Sequence, residues 1–147
     1  MQKKVIWYSD VTMAIKTYKG SCHCGAVKFG ADIDLAAGSG KCNCNFCAKI
    51  RSWKAFIKPE AFTLRSGQDA VSEYHGKHPT SRVFFCTTCG VHVYEKGDAV
   101  WMGGPFVAVF LSSLDDASID ELMSGPIHYS NGRDNDWTHP PADTRNL

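Results

Sequence analysis

Seven cysteines fall into three tight groups, Cys22-x-Cys24-Gly25, Cys42-x-Cys44-x-x-Cys47 and Cys86-x-x-Cys89-Gly90, and no other pattern in the chain restricts its fold as much. Thiolates two or three residues apart converge on one ion only through a sharp turn, and the glycines after Cys24 and Cys89 permit such turns. Two pairs and one triplet predict two metal sites, one closed by four sulfurs and one with three sulfurs and a free fourth position. Tetrahedral zinc held by four protein ligands is typically structural, whereas zinc held by three keeps a place for water or substrate. Cys22, Cys24, Cys86 and Cys89 sit at the ends of predicted strands, so joining the two pairs would fasten distant parts of a sheet. Zinc is favoured over an iron–sulfur cluster because the spacing lacks the repeated C-x-x-C run of cluster proteins.

The triplet Cys42, Cys44 and Cys47 leaves two readings open. Three thiolates hold zinc with a position open to a substrate thiol or water, or a histidine such as His23, His75 or His92 completes the tetrahedron and the site only adds stability. Closely spaced cysteines in a chain without an apolar leader predict metal ligands rather than disulfides, and the odd count points the same way. The expectation is a soluble, cytoplasmic protein. Its most apolar later stretch, Val100 to Leu111, is too short to span a membrane and is broken by Gly103-Gly104-Pro105. With 16 Lys plus Arg against 15 Asp plus Glu, the net charge of +1 offers no field to attract nucleic acid or an anionic membrane.

The 147 residues are expected to form one ordered domain over 13–147, preceded by an N-terminal extension over 1–12 that carries no periodicity. A first strand is predicted just after Met13, in Ala14 to Gly20. From Ala26 to Asp34, Val27, Phe29, Ala31 and Ile33 alternate with polar residues or glycine, the period of a half-buried strand. Further strands are predicted over Trp53 to Lys58, Phe62 to Ser66, Val71 to His75, Ser81 to Phe85, Val91 to Glu95 and Phe106 to Ser112, each bounded by turn residues. Many short strands imply a mainly β architecture. One short helix is predicted over Ser118 to Met123, with Ser118 among the candidate N-caps and Gly125-Pro126 as its stop. The tail from Tyr129 onward reads as irregular but anchored by Trp137.

The run Gly20-Ser21-Cys22-His23-Cys24-Gly25-Ala26-Val27, then Cys42-Asn43-Cys44-Asn45-Phe46-Cys47, then Phe85-Cys86-Thr87-Thr88-Cys89-Gly90, resembles the glutathione-dependent formaldehyde-activating enzyme family, which includes centromere-protein-V-like proteins. The tail segments Tyr129 to Trp137 and Pro141 to Arg145 also resemble that family's C-terminal signature, so the likeness spans about Lys16 to Leu147. The resemblance implies a tent-like fold of antiparallel sheets with a structural zinc on Cys22, Cys24, Cys86 and Cys89. It implies a catalytic zinc on Cys42, Cys44 and Cys47, and carbon–sulfur lyase activity that reversibly joins formaldehyde, or another small aldehyde, to glutathione or a related thiol.

Adding a thiol to an aldehyde needs a thiolate, and a thiol of pKa about 8.5 is only about 3% ionised at pH 7. Metal coordination would raise that fraction at most roughly thirty-fold, while the accompanying drop of about two pKa units costs about ten-fold in nucleophilicity. Holding the aldehyde beside the sulfur must therefore supply most of the rate. Phe46, Trp53, Phe56 and Trp101 are candidates to line the necessary pocket, each with ordinary core packing as the competing role. Lys41, Lys49 and Arg51 flank the triplet and, with Trp53, are the candidate glutathione-binding residues; a solvated surface role competes for each. His92 is a candidate proton shuttle. A thiol-binding carrier and a zinc-stapled interaction module are the alternatives to an enzyme. The latter calls for a basic stripe, where the chain offers only the scattered Lys41, Lys49, Arg51, Lys54 and Lys58.

Overall fold

The computed structural model describes residues 14–147, so the expected extension over 1–12 lies outside the described residues. In chain order the elements are β1 (Lys16–Ser21), β2 (Lys28–Ile33), β3 (Ser39–Cys42), α1 (Asn45–Ile50), β4 (Lys54–Ile57), β5 (Phe62–Ser66), β6 (Val71–Tyr74), β7 (Arg82–Cys86), β8 (His92–Ala99), β9 (Gly104–Phe110), α2 (Ile119–Leu122) and β10 (Ile127–Ser130). They build a three-stranded sheet in the order β1-β2-β5 and a seven-stranded sheet in the order β10-β3-β4-β9-β8-β7-β6. The protein is mainly β, as the turn spacing predicts. Pairing is antiparallel except at one edge, where β10 runs parallel to β3 with Tyr129 opposite Lys41 and Ser130 opposite Cys42.

The core lies between the sheets. The alternating residues Val27, Phe29, Ala31 and Ile33 are buried, and they meet Val93, Val107 and Val109 from the larger sheet and Leu111 just after β9. Phe29 stacks on Phe62, and Tyr94 packs between Phe62 and Phe84 with ring centroids 4.5 Å away on each side. Gly20 lies against the ring of Phe29 so closely that a Cβ there would come within 2.1 Å of it, which is why β1 reads Lys19-Gly20-Ser21.

The predicted helix is α2. Ser118 Oγ accepts from Glu121 N at 3.1 Å and Glu121 Oε2 accepts from Ser118 N at 2.8 Å, a reciprocal cap. Glu121 also accepts from Lys16 Nζ at 2.7 Å and Tyr18 Oη at 3.2 Å, fixing α2 to β1. Where the sequence predicts a single helix, the structure has a second, α1, built inside the cysteine triplet. The tail expected to be irregular from Tyr129 begins instead inside β10.

Candidate functional site

Cys22 and Cys24 lie between β1 and β2, Cys86 ends β7 and Cys89 lies between β7 and β8, so the four sulfurs come from both sheets. The two turns repeat one device. Cys22 N donates to Val27 O at 3.0 Å and Gly25 N to Cys22 O at 3.2 Å; Cys86 N donates to Val91 O at 3.0 Å and Gly90 N to Cys86 O at 2.8 Å. Gly25 and Gly90 adopt φ of 79° and 75°, the left-handed region that a side chain disfavours. The four sulfurs lie within 4.8 Å of one another, with Cys22 to Cys24 at 3.6 Å and Cys24 to Cys86 at 3.7 Å. Tetrahedral zinc with Zn–S bonds of about 2.3 Å sets its sulfurs about 3.8 Å apart, so the donor set fits that ion.

The triplet is local. Cys42 ends β3, Cys44 is the N-cap of α1 and Cys47 lies within it. Backbone amides set the loop by donating to sulfur: Cys44 N to Cys42 Sγ and Cys47 N to Cys44 Sγ, both at 3.3 Å. The three sulfurs lie within 4.8 Å of one another, and no histidine or carboxylate joins them among the described residues. Hydrogen bonds from Cys42 and Cys47 pull the Cys44 thiol down to about 2, the bond with Cys44 pushes Cys42 up, and the bonds with Cys42 and Cys44 push Cys47 up. Sulfurs so placed compete for protons, and a cation lets all three carry charge together.

The tail encloses this loop. Asn43 Nδ2 donates to Asn131 Oδ1 at 2.8 Å, and Arg133 N donates to Asn43 Oδ1 at 3.0 Å. Gly132 packs so tightly that a Cβ would come within 2.6 Å of Cys42 Sγ and 2.8 Å of the Trp137 ring. Trp137 in turn stacks on Trp101, with centroids 6.5 Å apart and planes 10° from parallel.

All three triplet cysteines line a cavity of about 680 Å³, within the size range of small-molecule sites. Phe46, Phe56 and Trp101 line it, as do Lys41 and Lys49. Trp53 and Arg51 are not among its walls: the Trp53 indole donates to Ser39 Oγ at 2.7 Å beneath the Lys41 ammonium, and Arg51 donates to the Asn146 carbonyl at 2.6 Å. His92 is half-buried among Phe46, Phe85 and Phe110, and burial lowers its pKa. His75 bonds Glu73 at 3.0 Å and His23 is exposed, so neither completes the triplet.

Sequence reasoning gave no site role to Lys54, Ser81, Glu95, Arg133 or Trp137, which also line the cavity. Lys54 pairs with Glu95 Oε2, and Glu95 Oε1 accepts from Ser81 Oγ. Burial pulls the Lys54 ammonium down, but the charges of Glu95 and Cys47 more than offset it and hold the group above its ordinary value. The available signal was a charge at Lys54 inside the otherwise apolar run Trp53 to Ile57.

Residues 17–127 match the family model described as glutathione-dependent formaldehyde-activating enzyme, a span that contains all seven cysteines and stops before the Tyr129 tail. The fold is also similar to the crystal structure of a Rhodobacter sphaeroides protein, with a TM-score of 0.63 and 22% identity over 76% of this chain and 99% of that one. Among the described residues no helix is long and apolar enough to cross a membrane.

Proposed function

The chain belongs to the glutathione-dependent formaldehyde-activating enzyme family, and on that footing we propose that it is a carbon–sulfur lyase that reversibly joins a small aldehyde to glutathione or a related thiol. The observation that carries this reading is the triplet: three sulfurs grouped without a fourth histidine, cysteine or carboxylate among the described residues, opening on a cavity of about 680 Å³. Two zinc ions per chain fit the donor sets, a structural one on Cys22, Cys24, Cys86 and Cys89 and a catalytic one on Cys42, Cys44 and Cys47. Bound at the triplet, zinc would supply Lewis acidity that favours the thiolate form of a thiol substrate.

The chain's own residues do the rest. Lys41 and Lys49 offer cations to the carboxylates of the thiol substrate, Lys41 being steadied 5.6 Å above the Trp53 ring. Arg51 holds the chain end through Asn146. Phe46, Phe56 and Trp101 exclude water and confine the aldehyde, which is where the rate must come from. The working unit is the single domain over 13–147, acting on small molecules in the cytoplasm.

The test is the rate of S-hydroxymethylglutathione formation from formaldehyde and glutathione with and without the zinc-loaded protein. Acceleration that is lost in Cys47→Ser supports the lyase. Tight glutathione binding with no acceleration, even at high protein concentration, replaces it with a thiol carrier.

A further inference from the structure

Lys54 and Glu95 form an ion pair whose side chains are only 11% and 10% exposed. Removing two charges from water costs several kcal/mol per ion, and apolar replacements of such pairs are often no less stable, so the pair is poorly explained as a stabilising contact. The strand order explains how it forms. β4 and β8 both flank β9, with Lys54 opposite Phe110 and Glu95 opposite Ala108, so the two side chains meet across β9 over the small side chain of Ala108. The Lys54 ammonium sits 5.8 Å from the Phe56 ring centroid and 5.7 Å from that of Phe110, contacts that orient it without consuming an N–H. An ammonium has three donors, and Glu95 takes one while being held by Ser81. Among the described residues no second acceptor engages the ammonium, so two donors remain for an occupant of the cavity, which Lys54 shares with the three triplet sulfurs.

We propose that Lys54, oriented by Glu95 and Ser81, is the group that receives the aldehyde oxygen while a thiolate attacks the carbonyl carbon from the side of Cys42, Cys44 and Cys47. This rests on the lyase reading above. In the forward step the sulfur electron pair forms the C–S bond, the carbonyl π pair moves to oxygen, and a Lys54 proton passes to that oxygen to give the hydroxymethyl thioether. The neutral amine recovers its proton from the next thiol as that thiol ionises, so no oxidant or reductant is consumed. In reverse the amine takes the hydroxyl proton, the C–S bond breaks and the aldehyde leaves. Lys54 is thus a catalytic residue, and Glu95 and Ser81 are positioning residues that act through it.

The test compares zinc-loaded wild type with Lys54→Met, Lys54→Arg and Glu95→Gln. It measures glutathione affinity by calorimetry, zinc content, melting temperature and adduct formation at saturating glutathione. Expected for Lys54→Met is a folded, zinc-loaded protein whose glutathione Kd stays within about two-fold while kcat falls about 100-fold or more, the usual loss for one oxyanion donor. Lys54→Arg, which keeps the cation but cannot release a proton, should recover little of that rate, and Glu95→Gln should lower kcat with Kd unchanged. If Lys54→Met fails to fold because Glu95 is stranded, the double variant Lys54→Met/Glu95→Leu removes both charges and takes its place. An active wild type with Lys54→Met within about three-fold in kcat overturns the role of Lys54 and leaves the lyase standing, as does a rate loss matched by lost glutathione affinity. A wild type without acceleration overturns both.

Discussion

Cys22, Cys24, Cys86 and Cys89 are gathered from two sheets, with Cys24 and Cys86 62 positions apart in sequence, whereas Cys42, Cys44 and Cys47 come from one segment of six residues. In the quartet, Cys22 and Cys86 are buried and the turns answer to one another bond for bond. In the triplet all three sulfurs are half-buried, and the cavity and tail surround them. The difference teaches that ligand chemistry alone does not set a site's role. A metal closing a long-range contact constrains the chain, while one held within a single turn adds little constraint and leaves its free side to other molecules.

The largest effect is expected from Cys89→Ser. A structural zinc is worth roughly 10 to 16 kcal/mol in apparent binding, as much as the whole stability of a typical domain, so circular dichroism should show no cooperative melt. A wild-type melt for this variant would erase the distinction between the two groups. Cys47→Ser should instead melt within about 5 °C of wild type yet bind glutathione about 100-fold more weakly by calorimetry, the scale of loss seen when a metal site is disturbed.

Graded chelation separates the groups without mutation. The half-exposed, three-donor site should release its zinc first, so metal analysis should pass through one ion per chain while far-ultraviolet circular dichroism stays unchanged. Simultaneous loss of both ions with unfolding would show that the sites are energetically one. Gly132→Ala sharpens the question of how the tail serves the triplet: its Cβ would meet Cys42 Sγ at 2.6 Å and Trp137 at 2.8 Å. Overpacking of this kind costs about 1 to 3 kcal/mol, so a lowered melting temperature with the quartet's zinc retained is expected. Smallest should be Lys49→Ala, about a two- to five-fold loss of glutathione affinity that shrinks as salt is raised, as for any exposed charge contact.

The sequence made some of this molecule readable because its signals are local. Glycine after Cys24 and Cys89 announced the paired turns, the alternation from Val27 to Ile33 announced β2, and Ser118 with Glu121 three residues on announced the start of α2. The parts that escaped depend on distant partners. β3 reads Ser-Gly-Lys-Cys, with no alternation, and is held between β4 and β10, the latter pairing with it from some ninety residues away. Helix α1 is six residues long, too short for a periodic stripe, and its amides are fixed by sulfur rather than by an apolar face. The pairing of Lys54 with Glu95 is not legible in either strand alone, since it takes β9 to bring β4 and β8 together. Arg51 and Trp53 are near the triplet in sequence, but the left-handed φ of 55° at Arg51 turns the chain after α1, and the two side chains bond to Asn146 and Ser39.

The parallel strand β10 has a consequence for how the molecule is made. A ribosome delivers both halves of the quartet by Cys89, while Asn131, Gly132 and Trp137 are still being translated. All four quartet thiols are therefore made before the segment that encloses Cys42 exists. An ion loaded at the triplet during synthesis would face an unfinished chamber, and a finished one only once the last strand docks.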